Sequence, residues 1–455
     1  MKLFDDTIIG ISTALSKGAI SIIRLSGDDA IKIVNKVFKG IDLSKVEPNT
    51  INYGHIVDFD SRQIIDEVLV SIFKAPKSYT KEDVVEINCH GGLFVTNKIY
   101  EQLVLLGARP SEPGEFTKRA FLSGRIDLTK AEAVMDVIDA ENNAALKIAN
   151  SALSGKISTF IDQKRQELLD IIATISVNID YPEYDDVEQL TNEDILPKLK
   201  TIKLELEDVL NNAKSAKLLK NGINTVIVGK PNVGKSSLLN TLIGENKAIV
   251  TNIPGTTRDI VEASINLGQV TLNLIDTAGI RTTDDVVEKI GVEKSKEQIN
   301  KADIILCVLD GSEPINEQDK EILNEIKNKC HLTIVNKIDL EQKLNLEEVD
   351  DNILLISTKN SSTIKELENK ILETLNLNNL FNKDITYISN ARQLEKINLA
   401  IKALDEALAT IENEATIDFV DIDIRKAWLY LGEIVGQTST DNLLDELFSK
   451  FCLGK

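Results

Sequence analysis

A glycine-rich segment in the middle of the chain has the spacing of a phosphate-binding loop. Residues 229–236 (GKPNVGKS) match G-x-x-x-x-G-K-[ST]. In such a loop the glycines let backbone N–H groups turn towards a β-phosphate, the lysine reaches the β- and γ-phosphate oxygens, and the serine hydroxyl binds Mg²⁺. An apolar run at Thr225–Val228 precedes the loop and a helical pattern at Ser237–Ile243 follows it, as this chemistry requires. The predicted contacts are Asn232, Val233, Gly234, Lys235, Ser236 (also a Mg²⁺ ligand) and Ser237.

Three later segments indicate which base the nucleotide carries. Residues 276–279 (DTAG) follow an apolar run, so that Asp276 would bind Mg²⁺ through water and the Gly279 amide would bind the γ-phosphate. Residues 336–339 (NKID) end in Asp339, whose carboxylate can accept from N1–H and the exocyclic amine of guanine, whereas adenine has a lone pair at N1. Residues 357–359 (STK) fit a base-facing loop, and the order of the four segments predicts GTP. The predicted contacts are Asp276, Thr277, Ala278, Gly279, Asn336, Lys337, Asp339, Ser357, Thr358 and Lys359.

Hydrolysis of GTP needs a group that orients water and a positive charge at the transition state. Many small GTPases have glutamine directly after D-x-x-G, but this chain has the apolar Ile280 there. Glu288 is a candidate to orient the water, although an exposed carboxylate near a helix start is commonly a solvated cap, and both interpretations stay open. Asn232 and Thr251–Thr256 offer oxygen ligands for a monovalent cation, and Thr257 can supply the second Mg²⁺ hydroxyl. The nucleotide contacts predicted here are Thr251, Asn252, Ile253, Pro254, Gly255, Thr256 and Thr257, with Arg258 as a further candidate catalytic residue.

A parallel sheet must hold these segments together. Within residues 221–378, apolar runs alternate with helical stretches, which predicts a doubly wound α/β domain with ligand loops at the carboxyl ends of its strands. Residues 1–120 alternate short strands with turns, which is typical of an α+β domain, and residues 121–220 and 379–455 have helical spacing. We therefore predict a multi-domain fold, in which an α/β P-loop GTPase domain is inserted into an α-helical domain that follows an α+β N-terminal domain. The predicted strands of the inserted domain are Thr225–Val228, Val270–Ile275, Ile304–Leu309, Leu332–Val335 and Ile353–Ile356.

The composition excludes several classes of protein. The 455 residues exceed what one core usually holds, and four cysteines with three histidines show neither a disulfide framework nor zinc-ligand spacing. The N-terminus carries acids where a signal peptide needs cations, which favours a cytoplasmic protein. The net charge of −20 predicts repulsion of nucleic acid, so any RNA contact needs a local basic patch or a second protein.

Motifs outside the nucleotide site resemble one family, the tRNA-modification GTPases MnmE, also called TrmE. They include residues 113–122 (PGEFTKRAFL), 124–128 (GRIDL) and 131–133 (AEA), where that family passes from its N-terminal domain into its helical domain. Residues 246–259 resemble its potassium loop, and residues 452–455 (CLGK) match its C-x-G-K terminus. The motifs are distributed over the whole chain, so the resemblance is not confined to the GTPase domain.

The resemblance implies roles around the γ-phosphate. Asn232 would bind K⁺ through its side chain, and Thr251, Ile253 and Thr256 would bind it through backbone carbonyls. This K⁺, in a homodimer, would take the place of an arginine finger, and Glu288 would orient the attacking water. The match of the C-x-G-K terminus adds Cys452 as a candidate catalytic residue, whereas by itself a terminal cysteine is more commonly an exposed thiol.

For residues 1–120 the resemblance implies a tetrahydrofolate-binding and dimerisation domain. Arg24, Glu82 and Arg125 match positions that contact the folate, and Lys455 would reach the same pocket. The implied reaction adds an aminomethyl or carboxymethylaminomethyl group to C5 of the wobble uridine of certain tRNAs, with one carbon from 5,10-methylene-tetrahydrofolate. The implied partner is MnmG, an FAD protein, and the charge of −20 suggests that MnmG supplies most of the cations that bind tRNA.

Two other functions are compatible with parts of the pattern. A ribosome-assembly GTPase switch of the Era-like group shares the phosphate loop and also lacks the glutamine, but it would need a basic RNA-binding appendage, and this acidic chain shows none. A stand-alone folate-dependent one-carbon transferase with a regulatory GTPase domain is chemically possible. Loss of the wobble modification in cells that lack the chain would separate the first function from both alternatives.

Overall fold

The computed structural model describes two compact units, Met1–Met135 with Gly432–Lys455, and Asp136–Leu431. The residues that it describes are 5–180, 192–245, 261–275, 298–349, 352–360, 363–377, 388, 390–413, 416–437, 441–451 and 454. The architecture confirms the predicted fold class, with an α+β N-terminal part, long helices and an α/β module. The three domain limits, at residues 120, 220 and 378, stay a prediction.

The first unit is built on a seven-stranded sheet in the order β3-β4-β5-β6-β2-β1-β7. All neighbouring strands are antiparallel except β1 and β7, which are parallel. One face carries the alternating apolar residues of the strands and is covered by helices α1 and α2, so the core lies between sheet and helices. The elements are β1 (Ile8–Ile11), β2 (Ile20–Ser26), α1 (Ala30–Asn35), β3 (Phe38–Lys39), β4 (Thr50–Val57), β5 (Ile64–Phe73), β6 (Val84–His90), α2 (Leu93–Leu105), β7 (Arg109–Pro110) and α3 (Glu115–Leu122).

The C-terminal residues return to this first unit. Helix α13 (Asp441–Phe448) packs through Leu444 and Phe448 on Leu128 and Ala131, and Phe451 joins the same cluster. Further on, a Cβ on Gly454 would lie 2.3 Å from the backbone oxygen of Ile11, so only glycine fits against β1 at this point.

The second unit contains a six-stranded sheet in the order β13-β12-β11-β8-β10-β9. Strand β11 is buried at every residue, and its side chains alternate between two apolar clusters on opposite faces, as expected of a central parallel strand. The elements are β8 (Ile223–Val228), α8 (Lys235–Glu245), β9 (Val261–Leu267), β10 (Val270–Ile275), β11 (Ile304–Asp310), α9 (Glu317–Ile326), β12 (His331–Asn336), β13 (Ile353–Leu355) and α10 (Thr363–Thr374).

Long helices flank this module in the sequence. Helix α11 packs along α7 and buries one apolar face that includes Ile397, Leu404 and Ile411. The helices are α4 (Leu128–Ile138), α5 (Asn143–Leu153), α6 (Lys156–Asp180), α7 (Asn192–Asn221), α11 (Ala391–Glu412), α12 (Ile417–Val435) and α13 (Asp441–Phe448). Within the described part of the chain, none of the helices combines the length and the apolar character needed to cross a bilayer.

Two details differ from the sequence prediction. Strand β9 was not among the predicted strands; it pairs antiparallel with β10 at the edge of the sheet, where alternating polar residues replace a continuous apolar run. The helical spacing predicted within residues 121–220 is interrupted near residue 142, because the side chain of Asn142 accepts a hydrogen bond from the Ala145 N–H at 2.7 Å and so starts a new helix, α5.

Candidate functional site

The loop between β8 and α8 has the strained backbone of a tight phosphate loop. Gly229, Asn232 and Gly234 have positive φ angles of 148°, 64° and 102°. A Cβ on Gly229 would lie 2.4 Å from the backbone oxygen of Val308, and a Cβ on Gly234 would lie 2.2 Å from Nδ2 of Asn336. Both glycines of the predicted motif are therefore required by backbone conformation and by close packing.

The side chain of Lys235 folds back over this loop. Its Nζ donates hydrogen bonds to the backbone oxygens of Gly229 at 2.6 Å and Lys230 at 2.7 Å. Burial lowers the pKa of Lys235, and the nearby Cys307 opposes this shift less strongly. A phosphate group bound to this ammonium would supply a negative charge that compensates for the lost hydration. The buried position of Lys235 therefore suits its predicted role in phosphate binding.

Asn336 joins the phosphate loop to the predicted base-facing loop. Its buried amide donates from Nδ2 to the backbone oxygen of Val233 at 3.0 Å, and its Oδ1 accepts from the Thr358 N–H at 3.4 Å. Three of the four predicted segments therefore meet at the carboxyl ends of β8, β12 and β13, the expected position for a ligand in an open α/β sheet.

Lys337 strengthens this junction. Its Nζ donates to the backbone oxygen of Asn232 at 2.9 Å and to Oδ2 of Asp310 at 2.5 Å. Burial acts to raise the pKa of Asp310, but hydrogen bonds from Lys337 and Ser312 outweigh it and leave the pKa below its usual value. The side chain of Lys337 therefore links the phosphate loop to the carboxyl end of β11.

The carboxylate of Asp339 is oriented by two neighbours. Ser357 donates from Oγ to Oδ1 at 2.8 Å, and Lys359 donates from Nζ to Oδ2 at 2.6 Å. The hydrogen bond from Lys359, followed by that from Ser357, lowers the pKa of Asp339. An ionised carboxylate is the acceptor that the N1–H and exocyclic amine of guanine require.

The described residues contain part of the predicted site. Ser236 and Ser237 lie in the first turn of α8, next to Lys235. Predicted residues that lie outside the described part of the chain are Thr251, Asn252, Ile253, Pro254, Gly255, Thr256, Thr257, Arg258, Asp276, Thr277, Ala278, Gly279, Glu288, Cys452 and Lys455.

A second group of predicted residues lies in the first unit, around Tyr79. The guanidinium carbon of Arg125 is 4.9 Å from the centre of the Tyr79 ring, and that of Arg24 is 5.9 Å from it. Arg24 also donates from Nε to Oε1 of Glu86 at 2.8 Å and from Nη1 to the backbone oxygen of Gly454 at 3.4 Å. The structure therefore brings Arg24 and Arg125 to one aromatic ring and places the residue before Lys455 beside Arg24.

A surface cavity of about 410 Å³ adjoins this ring, and its lining carries cations. The charged groups that line it are Lys77, Lys81 and Arg125, together with the ring of Tyr79. An anionic ligand with an aromatic part fits this lining by charge and by stacking.

Glu82 points to a different set of partners. It accepts from Oγ of Ser26 at 2.6 Å and from Nη1 of Arg119 at 3.1 Å, rather than from Arg24 or Arg125. Arg119 is only 1% exposed and is also bound to Glu115 and Asp6. The Glu82 carboxylate is therefore part of a buried ion network at the edge of the candidate site.

Sequence reasoning missed three residues of this second group. Tyr79 and Glu86 contact the predicted residues but belong to no recognised motif, and Arg119 lies in the motif at residues 113–122 but had no predicted role at the site. Strand register could have indicated Glu86, because it lies directly opposite Arg24 in the antiparallel pair β2–β6. The contact of Tyr79 with Arg125 comes from a loop and has no such signal.

Comparison with known proteins gives two family models that match successive parts of the chain. A family model described as the MnmE helical domain matches residues 128–452. A model described as the N-terminus of the GTP-binding protein TrmE matches residues 7–125.

Full-length relatives extend the match to the whole chain. A tRNA modification GTPase MnmE of Bacillus cytotoxicus is 50% identical over 455 residues, and the match covers 99% of each chain. The corresponding protein of Bacillus mycoides is 49% identical with the same coverage. A solved structure of the G domain of the T. maritima iron transporter FeoB is 27% identical; it covers 33% of this chain and 98% of its own, with a TM-score of 0.25. With a helical-domain model that spans more than half of the chain and relatives that match its full length, the chain belongs to the MnmE family of tRNA modification GTPases and is a GTP hydrolase.

Proposed function

We propose that this chain is a potassium-stimulated GTPase that works with MnmG on the wobble uridine of certain tRNAs. In this proposal an aminomethyl or carboxymethylaminomethyl group is added at C5, with one carbon from 5,10-methylene-tetrahydrofolate. The observation that carries the proposal is the meeting of Asn232, Asn336, Lys337 and Thr358 at one sheet edge, in a chain whose family acts on tRNA. Nucleoside analysis of tRNA from a strain that lacks the chain tests it, and intact wobble modification there would favour an Era-like switch instead.

The GTP site would use the residues described above in separate roles. Lys235 would bind phosphate oxygens and Asp339 would select guanine. Ser236 and Thr257, with Asp276 acting through water, would hold Mg²⁺, which neutralises phosphate charge when bound. The Ser236 hydroxyl at the first turn of α8 is a hard oxygen donor of the kind that Mg²⁺ prefers. Glu288 would orient the attacking water. Glu288→Ala should then slow turnover strongly while leaving GTP affinity nearly intact, and unchanged turnover would contradict this role.

The proposed K⁺ site includes Asn232. Asn232 has a left-handed backbone, and its main-chain oxygen accepts from Nζ of Lys337. The residue is exposed, so its side-chain amide is accessible to a cation. With carbonyls of Thr251, Ile253 and Thr256, that amide oxygen would complete an oxygen-only ligand set suited to an alkali cation. GTPase rates in KCl and NaCl test the proposal, and equal rates would contradict it.

The folate proposal rests on the cationic cavity beside Tyr79. Arg125, which lines the cavity, and Arg24, which lies at the same ring, suit the carboxylates of a folate, while the ring of Tyr79 suits its aromatic part. Lys455 is included in this proposal from the family resemblance. Glu82 would act at the edge of the site, through its hydrogen bonds with Ser26 and Arg119. The folate proposal is tested by measuring the affinity of tetrahydrofolate for the unmodified chain and for the Arg125→Ala variant. We expect affinity to fall about tenfold in the variant, and an unchanged affinity would contradict the assignment.

The proposed partners follow from the surface of the chain. A net charge of −20 disfavours direct tRNA binding, so in this proposal MnmG supplies most of the cations and the assembly acts in the cytoplasm. A second copy of this chain would pair through the exposed face of the N-terminal sheet, where Ile51, Tyr53 and Leu69 lie side by side. Titration of tRNA into the chain alone, MnmG alone and their mixture tests the first point.

A further inference from the structure

Lys230, the second residue of the phosphate loop, extends its side chain away from the loop to the start of helix α9. Its Nζ lies 3.0 Å from Oδ2 of Asp319 and 3.2 Å from Oε2 of Glu313. The side chains of Lys230 and Asp319 are 10% and 4% exposed, whereas that of Glu313 is 61% exposed. The contact between Lys230 and Asp319 is therefore almost removed from water, and the contact with Glu313 lies at its surface side.

Asp319 is itself fixed by the cap of α9. Its backbone N–H donates to Oδ1 of Asn316 at 2.9 Å, and its Oδ2 accepts from the Asn316 N–H at 3.2 Å. The other carboxylate oxygen, Oδ1, is buried and accepts no hydrogen bond from any residue that the structure describes. A carboxylate in this position depends on the ammonium group of Lys230, because an unpaired buried charge is strongly unfavourable.

The charge state of Lys230 agrees with this dependence. Burial acts to lower the pKa of Lys230, but hydrogen bonds to Asp319 and Glu313 outweigh it and leave the pKa above its usual value. The ammonium group therefore stays charged at neutral pH, although its side chain is largely buried.

The backbone of Lys230 connects this anchor to Lys235. The carbonyl oxygens of Gly229 and Lys230 are the two acceptors of the Lys235 ammonium group. A shift of Lys230 by a fraction of an ångström would move one of these acceptors, and small displacements of a charged group at a phosphate have large effects.

We propose that Lys230 and Asp319 form a positioning pair for the GTPase reaction, which anchors the phosphate loop to helix α9 and so holds Lys235 where the phosphates bind. The proposal rests on the phosphate-loop assignment made above. It concerns residues that act through Lys235, and neither needs to touch the nucleotide.

One variant distinguishes the positioning role from a direct electrostatic role of Lys230, because the two roles predict opposite changes in nucleotide affinity. Asp319→Asn removes a negative charge near the loop and keeps the positive charge of Lys230. If Lys230 acted through its charge alone, this change would strengthen nucleotide binding. If the pair acts by positioning, the same change weakens binding, because the anchor is lost.

The experiment measures the binding of GDP and a non-hydrolysable GTP analogue to the full chain by calorimetry, with GTPase rates at saturating GTP. We expect Lys230→Met and Asp319→Asn each to raise Kd about tenfold while kcat changes less than about threefold. Lys230→Arg should keep Kd within about threefold of the unmodified chain, since a guanidinium can also bind the carboxylate. Lys164→Met is the matched control, because Lys164 is 4% exposed and paired with Glu167 and Glu205 in the helical part; it should leave Kd unchanged.

A double variant separates positioning from folding stability. Asp319→Asn in the Lys230→Met background removes the orphaned carboxylate, so it should raise the thermal midpoint again while Kd stays weak. Recovery of affinity together with stability would overturn the proposal, as would tighter binding in Asp319→Asn alone.

The Lys235→Ala variant tests the phosphate-loop assignment on which the proposal rests. Normal nucleotide binding in this variant would refute that assignment. Loss of binding in Lys235→Ala with a Kd within about twofold in Lys230→Met would refute only the positioning pair.

Discussion

At the scale of single residues, the site is held by side chains that connect distant parts of the chain. Asn336 and Lys337 were predicted as nucleotide contacts because they belong to a short motif with a chemical meaning. Their bonds to Val233 and Asn232 also make them structural links between loops. A motif residue can therefore serve binding and loop geometry together, and a substitution has to be chosen so that it affects only one of these.

Asp339 allows such a substitution. Asp339→Asn replaces an acceptor-only group by one whose NH₂ faces the N1–H and amine donors of guanine. We expect GTP affinity to fall by about 3 kcal/mol, on the order of a hundredfold, and xanthosine triphosphate to be preferred because its C2 carbonyl accepts from the amide. Competition for a fluorescent guanine nucleotide measures this. Glu341→Gln, an exposed position on the same loop, should bind GTP normally; unchanged GTP preference in Asp339→Asn would refute the base-reading role.

Arg119 gives a residue-scale test of stability. Its guanidinium is 1% exposed and bonded to Asp6, Glu82 and Glu115. Arg119→Met leaves these carboxylates with less compensation, and we expect about 3–5 kcal/mol lower unfolding free energy in urea titrations. Lys118→Met, which removes the neighbouring and more exposed ion pair with Asp445, should change it by less than about 1 kcal/mol. Equal effects of the two variants would show that burial of the network does not matter.

The same network predicts a dependence on pH. Burial acts to raise the pKa values of Asp6 and Glu115, but hydrogen bonds from Arg109 and Arg119 outweigh it and lower both pKa values. Folded-state pKa values below the unfolded ones contribute stability that is present above about pH 4 and is lost as pH falls through the folded values. Acid unfolding curves should therefore be less steep for Arg119→Met than for the unmodified chain. Parallel curves would contradict this origin of acid sensitivity.

At the scale of elements, apolar patterning predicted the parallel strands well, because a strand covered on both faces must be apolar at nearly every position, as β11 is. Strand β9 was missed, since it lies at the sheet edge and alternates polar with apolar residues. The break before α5 was missed because helical spacing continues through it and only the side-chain bonds of Asn142 mark the new start. The pairings of Lys230 with Asp319 and of Tyr79 with Arg125 could not be predicted from one sequence, since each joins positions in different elements.

The β9–β10 hairpin is tied to the helices by Asn142, which predicts unequal effects of two similar changes. Nδ2 of Asn142 donates to Oγ1 of the buried Thr271 at 2.9 Å. Thr271→Val leaves one buried N–H of Asn142 without that acceptor, and we expect about 1–3 kcal/mol of destabilisation in thermal unfolding. Thr333→Val is the control, since the buried Oγ1 of Thr333 has no hydrogen-bond partner among the described residues. That change should be neutral or stabilising, and a loss in Thr333→Val as large as that in Thr271→Val would refute the role of the Asn142 bond.

At the scale of the whole molecule, residues at the two ends of the sequence build one unit. Oγ of Ser12 donates to the backbone oxygen of Gly454 at 3.0 Å, across 442 positions of sequence. Gly454 of the C-terminal motif therefore lies beside Arg24, which no local pattern could indicate. Only the family resemblance predicted that the C-terminus lies near Arg24. In the structure, the register of β2 and the close packing of Gly454 account for this proximity.

The outer face of the N-terminal sheet offers a test of the proposed pairing of two copies of the chain. Tyr53 and Leu69 lie directly opposite each other on β4 and β5 and are 61% and 45% exposed, with Ile51 next to them at 68%. Contiguous exposed apolar side chains on a sheet are typical of an interaction surface, and Leu69→Arg would place a charge at its centre. Without nucleotide, light scattering should then give the mass of one chain, 50.3 kDa, whereas we expect the unmodified protein to give that of two. Leu105→Arg, at an 87% exposed position on α2, which covers the other face, should remain dimeric; a Leu69→Arg protein that stays paired would place the contact elsewhere.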